Sequence, residues 1–259
     1  MTTDPATAET LAASAPDVTE DAFLGGRLMI TQPRQGYRAA LDAVCLAAAV
    51  PRALTGKVID VGAGVGVAGL CAVRQVPGIT LTALEMVPDL AALARSNAAA
   101  NSLTERFEAV TGDHWQFEAS GHFDAALSNP PFYDASSVTH PPDQAKAQAF
   151  VLQGGSLGDW CVKTLSYLRA RGLGVFVLPA GKVPEVLAAL EPHAGALTIY
   201  PLWPGPGRAA KRVILGAVKA ARGPAHIAPG LLLHDPPRRY AEAAEAVLRD
   251  GAPLPGWPD

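Results

Sequence analysis

The sequence predicts an α/β protein with a mostly parallel sheet covered on both faces. Three observations predict it. From Lys57 onward, short apolar runs of strand length alternate with segments of helical spacing. The first such run feeds directly into a glycine-rich turn. The two last strand-like runs are joined only by a short Pro/Gly-rich connection, which suits an antiparallel pair and not a crossover.

Residues 1–20 are rich in Ala, Thr and acids with no periodic apolar pattern, and read as a disordered acidic tail. Gly25-Gly26, Gln32-Pro33 and Gly36 punctuate the apolar run Leu28-Met29-Ile30, predicting a small hairpin or loop, then a helix through Val50. Residues 21–56 would form this N-terminal lid. The core, 57–220, starts with a buried strand over Val58–Val61. A helix over Val67–Val76 follows, ended by Pro77-Gly78, then a strand over Ile79–Leu84. Pro88 suits a first helical position and starts a helix through Asn101. Strands are predicted over Phe107–Val110 and Phe123–Ser128, a helix over Leu157–Ala170, a strand over Leu173–Leu178 and a helix over Val183–Leu190. The last pair lies near Leu197–Pro201 and over Arg212–Lys219. Residues 221–250 would add a strand and a helix over Arg239–Arg249. Residues 21–250 thus read as one domain without internal repeats.

Composition narrows the function classes. The chain has 259 residues, 49% hydrophobic and 17% charged, which is enough for a substantial core. The net charge of −3 excludes a global nucleic-acid footprint, so any such partner needs a local basic patch. Cys45, Cys71 and Cys161 are too scattered for a CxxC pair and read as buried thiols in a reducing compartment. No metal is expected. The start of the chain is acidic, unlike a signal peptide, and the longest apolar run, Ala43–Val50, is too short to cross a bilayer. The expectation is a cytoplasmic protein with no membrane contact.

The turn is Val58-Ile59-Asp60-Val61-Gly62-Ala63-Gly64-Val65-Gly66. Glycines let the backbone turn sharply and let a nucleoside approach closely. Two cofactor classes fit. Gly64, Gly66 and Gly69 spell G-x-G-x-x-G, and Glu85 stands at a spacing that suits a ribose-binding acid, as in dinucleotide sites. Asp60, however, would repel a pyrophosphate and suits a phosphate-free cofactor with a cationic methionine part. Glu85, followed by Met86, ends the second core strand, where α/β ligands bind, and a carboxylate there can accept from two ribose hydroxyls. Asp113, after the third strand, could receive an adenine amino group or serve as a turn residue.

The most specific segment is Phe123-Asp-Ala-Ala-Leu-Ser-Asn129-Pro130-Pro131-Phe132-Tyr133. Two prolines fix φ and remove two donors, so the chain leaves the strand in one shape. That aims the Asn129 side-chain oxygen and the Pro130 carbonyl at one spot. An –NH₂ group carries two donors for those two acceptors. Gripping both hydrogens favours a pyramidal nitrogen whose lone pair faces an electrophilic methyl group. Phe132 and Tyr133 offer flat faces for a flipped or single-stranded base. The same segment could also be a strand-terminating turn with packed aromatics.

At these residues the chain resembles amino methyltransferases with an Asn-Pro-Pro-Tyr/Phe motif, and most resembles the bacterial tRNA(Val) adenine-N6 methyltransferases of the small-domain group. The resemblance spans about residues 22–250. It includes Gly25-Gly26-Arg27-Leu28, Gly36-Tyr37-Arg38, Leu41-Asp42-Ala43-Val44, Arg208–Val213 and Leu232-Leu233-His234 to Tyr240. It implies a Rossmann-like class I methyltransferase, with a seven-stranded, mostly parallel sheet and a reversed last strand. It implies S-adenosylmethionine as cofactor and transfer to adenine nitrogen in tRNA. Asp60, Gly62, Ala63, Gly64, Gly66, Glu85, Met86 and Asp113 would hold the cofactor, with Asn129 beside it. Asn129, Pro130, Pro131 and Phe132 would form the catalytic motif. Phe132 departs from the more usual Tyr, so stacking survives but a hydroxyl role would fall to Tyr133. Protein-glutamine, rRNA and DNA amine methyltransferases share these motifs and remain alternatives, as does a dinucleotide-dependent oxidoreductase.

Two zones without acids carry the basic residues an RNA needs: Arg27, Arg34 and Arg38, and Arg208, Lys211, Arg212, Lys219 and Arg222. Arg38, Lys211, Arg212 and Tyr133 are the candidate substrate contacts. Ordinary solvated surface would look the same.

Overall fold

The computed structural model describes residues 17–35, 38–119, 121–131, 133–134, 151–152 and 155–258. The described residues open with an antiparallel hairpin, β1 (Val18–Phe23) and β2 (Leu28–Pro33), in register from Val18↔Pro33 to Phe23↔Leu28. Its first strand begins three residues inside the segment read as tail. Helix α1 (Leu41–Ala48) follows.

The core then alternates as expected: β3 (Gly56–Val61), α2 (Val67–Gln75), β4 (Ile79–Glu85), α3 (Pro88–Ala100), β5 (Phe107–Thr111) and β6 (Phe123–Ser128). Beyond the short strands β7 (Tyr133–Asp134) and β8 (Val151–Leu152) come α4 (Leu157–Ser166), β9 (Leu168–Pro179) and α5 (Val183–Leu190). The chain continues through β10 (Ala194–Trp203), β11 (Arg212–Lys219), β12 (His226–Ile227) and β13 (Leu231–Leu232). Helix α6 (Glu242–Glu245) runs on through a π-turn over Ala246–Asp250 to Gly251, whose φ is 67°.

The described residues form a main sheet in the order β12-β10-β11-β9-β6-β3-β4-β5, with β13 also on β10. β11 runs antiparallel to both β9 and β10, while β3, β4, β5, β6 and β9 are parallel. The reversed last long strand is therefore present, and two-residue strands extend the β10 edge. Alternation along each strand feeds two cores. Val58, Val175 and Val177 face α1, α2 and α3, whereas Ile59, Val61, Phe176 and Leu178 face α4 and α5. All three cysteines are buried and free.

Three boundaries differ most from the sequence reading. The helix predicted to Ala170 ends at Ser166, because Leu168 turns fully inward to pair with Phe123 as the start of β9. Residues between that pair and Leu173↔Ala125 form an irregularity, which Arg169 bridges with an ion pair to Asp124. The last helix starts at Glu242 and not at Arg239, because Tyr240 stacks on His234 at 5.3 Å and is held out of a helix. β10 extends over both ends of the predicted strand. Among the described residues, no helix is long and apolar enough to cross a membrane, and no cluster of three His, Cys, Asp or Glu could hold a metal ion.

Candidate active site

Strand register brings the predicted residues to one edge. Val61 of β3 pairs with Leu84 of β4 and with Ser128 of β6, and Glu85 pairs with Thr111 of β5. Gly62, Glu85, Asp113 and Asn129 therefore leave adjacent parallel strands at their carboxyl ends, where such sheets bind ligands. Gly62 and Asn129 follow directly on a paired couple, about 5 Å apart at the strand spacing. Asn129 is half-buried, Pro130 buried and Pro131 half-buried. Phe132 lies outside the described residues, and of Tyr133 only the backbone strand is described.

The turn is built on left-handed glycines. Gly62, Gly64 and Gly66 have φ of 71°, 57° and 86°. At Gly66 a Cβ would also approach Phe107 to 2.9 Å, so both conformation and space demand glycine there. The N–H groups of Gly62 and Ala63 both donate to the Leu84 carbonyl, at 2.9 and 3.1 Å.

The two acids behave differently. Glu85 is 8% exposed and accepts from the N–H groups of Gly64 (2.7 Å) and Val87 (2.9 Å). Two bonds leave lone pairs on its carboxylate for ribose hydroxyls. Burial raises its pKa, and the N–H groups of Val87, Gly64 and Met86 oppose that rise. Met86 itself is exposed, a flexible apolar side chain next to the carboxylate. Asp60 is the more deeply buried of the two. It is 2% exposed and accepts from the Gly69 N–H at 3.0 Å, the third residue of α2. It caps that helix from beneath the turn and so shapes the turn. Burial pushes its pKa up to about 7, against the Gly69 bond and with the nearby Glu85 charge. Asp113 accepts from the Trp115 N–H at 2.8 Å as a turn residue, half-buried at the end of β5.

Of the proposed substrate cations, two are committed within the chain. Arg38 donates to Asp21 (2.6 Å) and to Thr19 (2.7 Å), pinning the segment before α1 onto the hairpin. Arg212 lies 3.7 Å from Asp42 in the first turn of α1. Both therefore also tether elements of the chain itself. Lys211 is exposed.

Sequence reasoning missed the layer behind the site. Ser128 Oγ donates to the Val61 carbonyl at 2.8 Å and accepts from Trp160 Nε1 at 3.0 Å. The Trp160 ring would meet a Cβ on Gly62 at 3.4 Å. His114 packs on Trp160 at 4.1 Å, and burial drops its pKa to about 4, so it is neutral at physiological pH. Tyr167 closes the cluster by donating to the His114 carbonyl at 2.6 Å. On the other face, Asn97 is 1% exposed and joins the hairpin to the turn. It accepts from Thr31 N–H (2.8 Å) and donates to the Thr31 and Val65 carbonyls (3.0 Å each). The Ser156 capping box before α4 was a readable sign of where Trp160's helix starts, but not of what the ring touches.

Residues 25–161, more than half of the chain, match the methyltransferase small domain family. The chain belongs to that family. It is thereby an S-adenosylmethionine-dependent methyltransferase, and the dinucleotide-dependent oxidoreductase falls away. A curated tRNA1(Val) (adenine(37)-N6)-methyltransferase of Shewanella amazonensis is 28% identical over 227 residues, covering 83% of this chain and 91% of that protein. Other relatives of that name are matched over little more than half of their own length. Among solved structures, a predicted O-methyltransferase, Atu636 of Agrobacterium tumefaciens, superposes with a TM-score of 0.67 at 22% identity, covering 80% of this chain and 94% of that one. TYW2 of M. jannaschii, solved in complex with AdoMet, superposes with a TM-score of 0.56 at 12% identity, over 80% and 87%. These likenesses confirm a class I methyltransferase fold.

Proposed function

We propose that this small-domain methyltransferase transfers a methyl group to the exocyclic amine of an adenine in tRNA. The observation that carries the reading is the register Val61↔Ser128, which sets the glycine turn and Asn129 side by side. The names of the curated relatives support adenine in tRNA as the target.

When bound, S-adenosylmethionine supplies an electrophilic methyl group on a sulfonium that is already a good leaving group. The chain's own residues do the rest. Gly62, Ala63, Gly64 and Gly66 give the nucleoside a close approach to backbone, Glu85 accepts from its ribose, and Asp113 flanks its base. Asp60 holds α2 and the turn in place. Asn129 Oδ1 and the Pro130 carbonyl accept the two N–H bonds of the target amine. So held, the nitrogen would present its lone pair to that methyl group and would release one amine proton to solvent. No strong base is required, because a methylated adenine nitrogen sheds its proton readily. Alignment of this kind can account for roughly 7–11 kcal/mol of a barrier in favourable cases. Phe132 and Tyr133 stack the base.

Radiolabelled cofactor incubated with unmodified tRNA and with a release-factor-like protein tests the substrate. Label in tRNA as N6-methyladenosine is expected; label on protein alone defeats the tRNA reading. Nucleoside mass analysis of tRNA from a deletion strain would give the position.

A further inference from the structure

The edge that carries Asn129 continues past β9 and β11 to β10 and β13. β13 runs parallel to β10, with Leu202↔Leu231 and Trp203↔Leu232 in register. Two loops therefore emerge on the catalytic edge: 204–211, which joins β10 to β11, and 233–240, which follows β13. They touch, since Gly205 lies against Arg208 and the His234 carbonyl.

These loops concentrate positive charge. Arg208, Lys211, Arg238 and Arg239 are all exposed, and none forms an ion pair with a described residue. Elsewhere Arg34, Arg38, Arg169 and Arg249 are held by carboxylates. The only acid in the two loops is Asp235. The second loop is preorganised and not a loose charge run. His234 and Tyr240 stack at 21° between planes, His234 Nδ1 meets the Arg239 carbonyl, and the Arg239 guanidinium lies 5.3 Å from the Tyr240 ring centre. Arg239 and Tyr240 also line a cleft of about 550 Å³ that reaches the hairpin at Gln32 and Arg38.

We infer that loops 204–211 and 233–240 form a docking surface for the phosphate backbone of the substrate RNA, beside the target-amine site. This rests on the RNA reading above. β10 and β13 are three and four strands from β6, so at the strand spacing the surface lies roughly 15–20 Å from Asn129. That corresponds to roughly four to six stacked nucleotides at about 3.4 Å each. The surface therefore contacts RNA flanking the methylated base and fixes its position without reading its sequence. It also explains how an acidic chain recruits a polyanion: a local patch suffices when its cations have no ion-pair partner among the described residues.

The test measures binding of an unmodified tRNA transcript against salt concentration. The variant carries Arg208→Ala, Lys211→Ala, Arg238→Ala and Arg239→Ala together. The slope of log affinity against log salt should flatten by about 3, and affinity at 0.15 M salt should fall by at least about tenfold. Cofactor affinity should stay as in the wild type, which also shows that the variant is folded. Arg238→Ala with Arg239→Ala alone should flatten the slope by about 1.5. A variant with the three arginines changed to Lys should keep the wild-type slope. An unchanged slope in the Ala variants, while the wild type still methylates RNA, overturns this inference and leaves the activity standing. A wild type that neither binds nor methylates any RNA overturns the RNA reading itself.

Discussion

The indole N–H of Trp160 donates to Ser128 Oγ at 3.0 Å, one residue before the Asn-Pro-Pro motif. The same hydroxyl donates to the Val61 carbonyl, one residue before the glycine turn. A single buried oxygen thus ties α4 to the tips of both strands that build the site. Removing it leaves the Trp160 N–H buried without its partner, which costs about 1–3 kcal/mol. Ser128→Ala and Trp160→Phe should each destabilise the fold by that order in urea unfolding. The double variant should cost less than the two together, with a coupling of about 0.5–3 kcal/mol. Additive effects would mean that the bond contributes nothing.

Asn129 should matter for turnover and little for cofactor affinity. In the proposed mechanism its oxygen is one of two acceptors for the amine, and it stands beside the turn without being part of it. Asn129→Ala is expected to cut single-turnover rates by orders of magnitude while equilibrium cofactor binding stays within about threefold. A loss of one preorganised acceptor of this kind costs about 10²–10³ in rate. Unchanged turnover would remove Asn129 from the mechanism.

Asp60 gives the site a pH dependence. Its pKa in the folded chain, about 7, lies above its ordinary value of 3.8. A raised pKa means that the fold prefers the protonated acid. Its contribution is therefore complete below pH 4 and is lost as pH rises from about 4 to 7. The gap between those two values bounds the loss at about 4 kcal/mol. Asp60→Asn keeps an acceptor for the Gly69 N–H and removes the ionisation. The difference in Tm, variant minus wild type, should grow more positive between pH 4 and 8. A bound sulfonium favours the ionised acid, so S-adenosylmethionine affinity in the wild type should rise with pH through about 7. S-adenosylhomocysteine, which lacks that charge, should show a weaker rise. Parallel pH profiles for the two ligands would break this argument.

What the sequence made legible was whatever depends on local pattern. The strand at Val58, the Pro88 helix start and the glycine turn each follow from neighbours in the chain. Two parallel neighbours ending in step then brought Asn129 next to Gly62. Partners far apart in sequence were not legible. Arg38 and Arg212 look like free cations until Asp21 and Asp42 fold against them. The bond that Asp60 accepts from the Gly69 N–H of α2 was equally hidden. Trp160, 32 residues beyond Ser128, carries no mark of its role in the sequence. Leu168 was read as helical because a short apolar run has no period of its own, and only its pairing with Phe123 decides it.

Asn97 offers a sharper case, because a near-duplicate sits one turn further along α3. Asn101 uses its carboxamide on the Met29 N–H (3.0 Å) and carbonyl (2.7 Å), as Asn97 does on Thr31, so the two together act as an edge partner for β2. Only Asn97 also reaches the Val65 carbonyl inside the glycine turn. Both variants to Ala loosen the hairpin, but only one unpins the turn. Asn101→Ala, at a more exposed site, should cost about 1 kcal/mol and leave cofactor affinity unchanged. Asn97→Ala strands three backbone groups, the Val65 carbonyl fully buried, and should cost more, roughly 2–4 kcal/mol, with cofactor affinity weakened at least about tenfold. Hydrogen exchange separates the effects: Thr31 should lose protection in Asn97→Ala and Met29 in Asn101→Ala. Equal cofactor affinities in the two variants would show that the turn holds its shape without the hairpin.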